Sequence, residues 1–209
     1  VSGTFAEVQY RIDTTPDNGV LNLENKKYTA DENDTSIKIN KNITINGQGS
    51  ILDGKGGITA FEFSEVANLI LKNIQITNTF TYTRGGAIAN TKGGDLTIIN
   101  STFINSSSHI LAGAIAHQKG SLFVIDSNFI NCTAGQSAGA IISTGNLFVL
   151  NSTFINDKIV GNSTTKRYGG AIRGSNVTVV DSKFENCQAQ DEGSDIYATK
   201  TIRLLANDY

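Results

Sequence analysis

Residues 96–105 read Leu-Thr-Ile-Ile-Asn-Ser-Thr-Phe-Ile-Asn, and the second half, Asn100-Ser101-Thr102-Phe103-Ile104-Asn105, recurs along the chain. It returns as Asp126-Ser127-Asn128-Phe129-Ile130-Asn131, as Asn151-Ser152-Thr153-Phe154-Ile155-Asn156 and as Asp181-Ser182-Lys183-Phe184-Glu185-Asn186. The phenylalanines fall 26, 25 and 30 residues apart. A second tract, Gly-Ala-Ile, recurs at Gly86-Ala87-Ile88, Gly113-Ala114-Ile115, Gly139-Ala140-Ile141 and Gly170-Ala171-Ile172, with a degenerate copy at Ser194-Asp195-Ile196. A third precedes each Asn or Asp: Leu96-Thr97-Ile98-Ile99, Leu122-Phe123-Val124-Ile125, Leu147-Phe148-Val149-Leu150 and Val177-Thr178-Val179-Val180. Leu69 to Asn78 is an earlier, weaker copy.

Each unit therefore holds three short β-prone runs broken by Gly, Asn and Ser. None is long enough, or suitably periodic, for a helix. Three strands in ~25 residues, repeated in fixed order, predict an all-β chain folded as a right-handed parallel β-helix. A leucine-rich repeat would need its LxxLxL signature, and a propeller blade four strands in ~40 residues. A β-sandwich with accidental similarity is the remaining alternative; the fixed order of three tracts argues against it.

Composition agrees. The 209 residues are 39% hydrophobic and 17% charged, with a net charge of −2. That balance gives no electrostatic pull toward nucleic acid. No apolar run approaches the ~18 residues of a transmembrane helix. No basic segment followed by an apolar run opens the chain, and Met is absent even at position 1. A mature or excised piece of a longer protein is expected.

Asn is unusually common, with 22 residues. In stacked coils, equivalent residues lie one strand spacing apart, ~4.8 Å. Asn78, Asn105, Asn131, Asn156 and Asn186 fall at one equivalent turn, where stacked amides can donate and accept in series. Asn also tolerates the left-handed backbone of a sharp corner. The column reads as a structural ladder, and its members Asn105 and Asn131 are expected to be inaccessible. Ile88, Ile115, Ile141 and Ile172 should point inward, as should Phe103, Phe129, Phe154 and Phe184. The Gly opening each Ala-Ile is expected to supply the turn conformation.

The domain divides into a cap over 1–16, irregular early coils over 17–68 and regular coils over 69–205, about eight in all at ~4.8 Å each. Thr4-Phe5-Ala6-Glu7 fits a capping box, with Phe5, Val8 and Ile12 on one helical face. A short N-terminal helix should plug the first coil. No comparable cap follows Leu204-Leu205, so the stack is expected to continue beyond this chain. Cys132 and Cys187 follow Asn131 and Asn186, with Asp157 at the same place between them. Two coils means ~9.6 Å, beyond the ~7 Å Cα limit of a disulfide, so both thiols should be free.

The Asn-Ser-Thr-Phe-Ile-Asn and Gly-Gly-Ala-Ile tracts, with the opening Ile43 to Gly54 (ITINGQGSILDG), resemble the adhesin-like surface proteins of gut methanogenic archaea. Gly85-Gly86-Ala87-Ile88 and Gly169-Gly170-Ala171-Ile172 are also similar to half of the GGAI/FxxN repeat of chlamydial polymorphic membrane proteins. In the other half Asn follows Phe by two, which favours the archaeal group. The resemblance covers about residues 37–197. It implies a secreted or wall-anchored β-helix at the cell surface that binds other cells or extracellular polymers. It carries over no catalytic residues.

The same architecture also serves enzymes acting on acidic polysaccharides, so catalysis has to be judged from side chains. Asp126 and Asp181 share a column but lie ~9.6 Å apart by coil arithmetic, and no partner completes a site. His109 and His117 read as surface histidines. The acidic turns Asp31-Glu32-Asn33-Asp34 and Asp191 to Asp195 read as solvated loops, not calcium sites. No metal and no cofactor is implied. Sequons stand at Asn33, Asn42, Asn100, Asn105, Asn131, Asn151, Asn162 and Asn176, of which Asn162 is the expected glycan acceptor.

Two features could bind. If Leu96 and Ile98 point inward, then Thr97, Ile99, Phe123, Ile125, Phe148 and Leu150 form an outward apolar stripe, with Val180 above and Ile104, Ile130 and Ile155 beside it. Packing beneath another part of the chain, such as the N-terminal segment, is the structural alternative. The longer loop Asp157 to Tyr168 carries Lys158, Lys166, Arg167 and Tyr168, suited to an anionic or sugar ligand. The expected function is a non-enzymatic adhesin-like module at the extracellular surface. Its partner would be a cell-surface or wall polymer, or a surface protein of another cell, with contacts to further domains of a longer chain. A polysaccharide lyase or hydrolase on the same fold, and a ligand-free structural stalk, are the alternatives.

Overall fold

The computed structural model describes residues 2–161 and 167–209. It is a parallel β-solenoid of about 8 turns with a single short helix, Phe5–Thr14, at its N-terminal end. Among the described residues every strand pairing is parallel, in one 18-stranded sheet and one 4-stranded sheet.

Each regular coil has four straight segments. The aliphatic face is built from tracts such as Leu96–Ile99, which pairs with Leu69–Lys72 before it and Leu122–Ile125 after it. After the Asn or Asp corner comes the phenylalanine face, Phe103 opposite Ile76 and Phe129. A short segment follows, Ser107–Ser108 beside Phe80–Thr81 and Thr133–Ala134. The Gly-Ala-Ile tract then leads into the fourth face, Ile115 between Ile88 and Ile141. The register runs down into the early coils: Gly19–Asn22 pairs with Ile43–Asn46, which pairs with Leu69–Lys72.

Alternation along each strand puts one side chain in and the next out. Leu96, Ile98, Leu122, Val124, Leu147 and Val149 are buried. So are Ile88, Ile115, Ile141 and Ile172. The rings of Phe103, Phe129, Phe154 and Phe184 stack with centroids 4.8, 4.9 and 4.8 Å apart and planes within 4°. That spacing is the strand spacing, so neighbouring coils hold the rings in register. Each buried ring stabilises the fold by roughly 1.5–3 kcal/mol.

The corners need left-handed backbone. Asn78, Asn105, Asn131, Asn156 and Asn186 have φ of 52°, 54°, 56°, 56° and 54°. Nδ2 of Asn78 donates to Asp53, Asn105 to Asn78 and Asn131 to Asn105, at 3.1, 3.3 and 3.4 Å. The lengthening series stops there: Asn156 and Asn186 share the conformation but not the amide chain. Asn105 and Asn131 are exposed, because the corner turns their side chains outward. Their expected inaccessibility is therefore overturned. A second ladder joins Asn22, Asn46, Asn73 and Asn100 at the preceding corner.

Inside that preceding corner runs a serine ladder. Oγ of Ser127 accepts the N–H of Ser101 at 3.2 Å and donates to the Ile125 carbonyl at 2.7 Å. Ser152 and Ser182 repeat the pattern for the next coils. Each hydroxyl satisfies a buried amide that the bent strand leaves unpaired.

The glycines of Gly-Ala-Ile act differently from expectation. Positive φ falls one residue earlier, at Gly85, Ala112, Ala138 and Gly169. Gly86, Gly113, Gly139 and Gly170 answer a steric demand: a Cβ on Gly113 would stand 2.2 Å from the Gly139 carbonyl oxygen. The coils approach too closely there for any side chain.

The helix begins as its capping residues predict. Thr4 Oγ1 accepts the Glu7 N–H at 3.3 Å, and Phe5, Val8 and Ile12 are fully buried against the first coils. Asp34 adds a second cap, its two oxygens accepting the Phe5 and Ala6 N–H groups at 3.1 Å each. Glu7 reaches Lys26 instead of closing the reciprocal bond of a capping box.

Candidate functional site

The outward stripe is formed by alternate residues of the aliphatic face. Thr97, Phe123 and Phe148 are register partners on consecutive coils, as are Ile99, Ile125 and Leu150. The Phe123 and Phe148 rings stack at 5.2 Å and 9° on the outside of the solenoid. Phe148 is 40% exposed and Leu150 42% exposed. Ile70, two coils before Phe123 in the same column, is 40% exposed and Val20 60%. The helix packs on the first coils, against Ser2–Thr4, Lys27–Thr29 and Ile37–Ile39, and so does not cover the stripe. Thr97, Ile99, Phe123 and Ile125 are half-buried, so the stripe is most open at Phe148 and Leu150. Contiguous apolar surface of this kind on a folded chain marks a contact site.

The candidate loop is not brought together with the stripe. It joins the short segment to the Gly-Ala-Ile face, whereas the stripe lies on the aliphatic face. Lys158 is half-buried in the strand Lys158–Ile159. The Arg167 guanidinium donates to the Gly161 carbonyl, and its N–H donates to Asp191 at 2.7 Å. Tyr168 stacks on Tyr197 at 4.4 Å, with the Arg173 guanidinium 5.5 Å from its ring centroid. These contacts tie the second end of the loop to the coil after it. Lys166 and the sequon Asn162 lie outside the described residues.

Polar and titratable residues fall into structural roles. Asp126 and Asp181 are exposed corner residues with φ of 51° and 48°, and Asn151 between them donates to Asp126 at 2.8 Å. Cys132 and Cys187 are buried free thiols. Burial holds both above the usual thiol range, Cys187 at about 12, so neither is a ready thiolate. Asp157, between them, is also fully buried, and desolvation raises its carboxyl well above the ordinary value. No group of three or more His, Cys, Asp or Glu residues is placed to hold a metal ion among the described residues.

The histidines divide. His109 is exposed, as expected. His117 is not a surface residue: it is fully buried, stacked between its register partners Asn90 and Ser143. Its Nε2 lies 3.0 Å from the Gly94 carbonyl, which makes that nitrogen the donor; Nδ1 has no partner among the described residues. Burial lowers its pKa and keeps the ring neutral.

Compared with known proteins, the chain matches no family model, and no curated protein or solved structure is significantly similar to it.

Proposed function

We propose that this chain is a non-enzymatic, adhesin-like β-solenoid module displayed on a cell surface, where it attaches to wall or matrix polymer of other cells. One observation carries the reading: the Phe123–Phe148 stack at the centre of an uncovered apolar stripe. The buried faces already hold the coils together, and the phenylalanines on the outside add only the contact of one ring with the other. A rigid solenoid keeps such a stripe straight and preformed, which lowers the entropy lost on contact. Aromatic residues in such a position are typical anchors of binding surfaces.

The experiment is a pull-down of whole cells and insoluble wall polymers with the purified chain. Phe123→Asp with Phe148→Asp should abolish capture while circular dichroism stays unchanged. Unchanged capture by the folded double variant removes the stripe as the site. Depolymerisation of any polymer in the panel, read as new reducing or unsaturated ends, overturns the non-enzymatic reading. Absence of any captured ligand overturns the adhesive reading in favour of a stalk.

A further inference from the structure

Four short parallel strands, Phe80–Thr81, Ser107–Ser108, Thr133–Ala134 and Lys158–Ile159, form a sheet separate from the one that carries the stripe. Their length across four rungs is about 14 Å. Phe80, Ser107 and Thr133 are register partners and form the floor of a groove of about 580 Å³. His109, Gln136 and Val160 stand among its walls. Tyr82, 75% exposed, meets the Phe80 ring edge-on at 4.8 Å and lies 6.5 Å from His109.

The chemistry of the groove is mixed in a specific way. The Thr133 hydroxyl, the Gln136 amide and the His109 imidazole have no hydrogen-bond partner among the described residues. All three can donate and accept. They lie beside aromatic and aliphatic surface; among the described residues the lining holds no carboxylate, ammonium or guanidinium, and the nearby Arg167 guanidinium is engaged at the carbonyl of the lining residue Gly161. Lys158 follows Thr133 in the register, at one end of the floor.

We propose that this groove binds a neutral glycan chain. Sugar rings present apolar C–H faces bordered by hydroxyls that both donate and accept, which is the complement of Phe80 and Tyr82 beside Thr133, Gln136 and His109. An apolar peptide would leave those three polar groups desolvated and unpaired. A polyanion would find, among the described residues, one ammonium at the end of the floor and a guanidinium already engaged at the Gly161 carbonyl. The elongated form suits several linked sugars instead of one. The groove lies on a different sheet from the stripe, and its assignment does not depend on the stripe being adhesive.

Titration calorimetry of the intact chain tests this with neutral gluco-, manno-, galacto- and xylo-oligosaccharides and with oligogalacturonates as the acidic comparison. At least one neutral series should bind, with the oligomer tighter than its monosaccharide. Tyr82→Ala and Thr133→Val should each weaken binding about five- to tenfold, the loss of one contact or hydrogen bond. Tyr10→Ala, on the exposed face of the helix, should leave the affinity unchanged, which ties any loss to the groove. Unaltered melting temperatures establish that the variants fold; Gln136→Ala is read in place of any that does not. Failure of every neutral series at millimolar concentration overturns the proposal, as does preference for the acidic oligomers. Affinity unmoved by the groove substitutions, or lost in Tyr10→Ala, does the same.

Discussion

Asp157 Oδ1 accepts the backbone N–H of Cys132, one coil earlier, at 2.8 Å, while its Oδ2 has no hydrogen-bond partner among the described residues. Ser106 and Thr79 fill the same column in earlier coils, where Thr79 Oγ1 donates to Ser106 Oγ at 2.9 Å. A carboxyl does the work of a hydroxyl here, and burial favours its neutral form.

The sign of the pH dependence follows. The folded-state pKa of Asp157 is raised above the ordinary 3.8, chiefly by desolvation. Its contribution is complete below that ordinary value and is lost as pH rises through the folded pKa. The melting temperature of the native chain should therefore decline on the alkaline side. Asp157→Asn keeps the acceptor and the volume and removes the ionisation, so its profile should be flatter, with a gain of about 1–3 kcal/mol at the alkaline end. Parallel profiles for the two proteins would show that Asp157 does not titrate on unfolding.

His117 gives the opposite limb. Burial depresses its pKa below 6.5, so its contribution is complete above that value and is lost as pH falls through the folded pKa. His117→Asn, the residue its register partner Asn90 already supplies, should flatten the acid side of the melting profile below about pH 6.5. A C–H resonance assigned to His117 by its absence in His117→Asn, titrating at an unshifted pKa in the native state, would contradict the buried, neutral ring.

The difference between what was legible and what was not has a physical basis. The Phe and Ile columns repeat one residue type once per coil, in strands whose side chains alternate with a period of two, so their direction can be read directly from the chain. His117 shares its inward column with Ile39, Phe63, Asn90, Ser143 and Gly174, a set with no common chemistry to announce it. The stripe was legible because parity along a strand also names the outward residues. The groove was not, because its walls come from turns whose sequences differ from coil to coil. Asn105 and Asn131 were misplaced because a repeated residue suggests a ladder without saying on which side of the corner it runs. The glycines were misread because a clash with the next coil leaves the same mark as a conformational need.

Phe154 and Phe148 separate packing from binding within one coil. Phe154 is fully buried between Phe129 and Phe184, and its truncation to Ala should cost about 3–5 kcal/mol in denaturant unfolding. Phe148, 40% exposed and stacked on a single ring, should lose under about 1.5 kcal/mol in the same substitution. Equal losses would mean that the outer stack is part of the folding core and not a surface kept for a partner.

Gly113 tests whether glycine at this position serves the turn or the gap between coils. Its φ is not in the left-handed region, so an alanine is conformationally acceptable, yet the added Cβ would meet the Gly139 carbonyl oxygen at 2.2 Å and the Thr133 nitrogen at 2.5 Å. Both are backbone atoms held in the stack and cannot rotate aside. Gly113→Ala should therefore destabilise the chain by about 1–3 kcal/mol or more, as overpacking does. Gly57 provides the comparison: nothing lies within 4 Å of the place a Cβ would take there, and its φ is also ordinary. Gly57→Ala should be neutral or gain a few tenths of a kcal/mol, at most about 1. Urea unfolding of the pair decides between the causes. A mild effect at Gly113 would mean that the coils separate easily, and that the close approach at the Gly-Ala-Ile turn does not set the spacing of the stack.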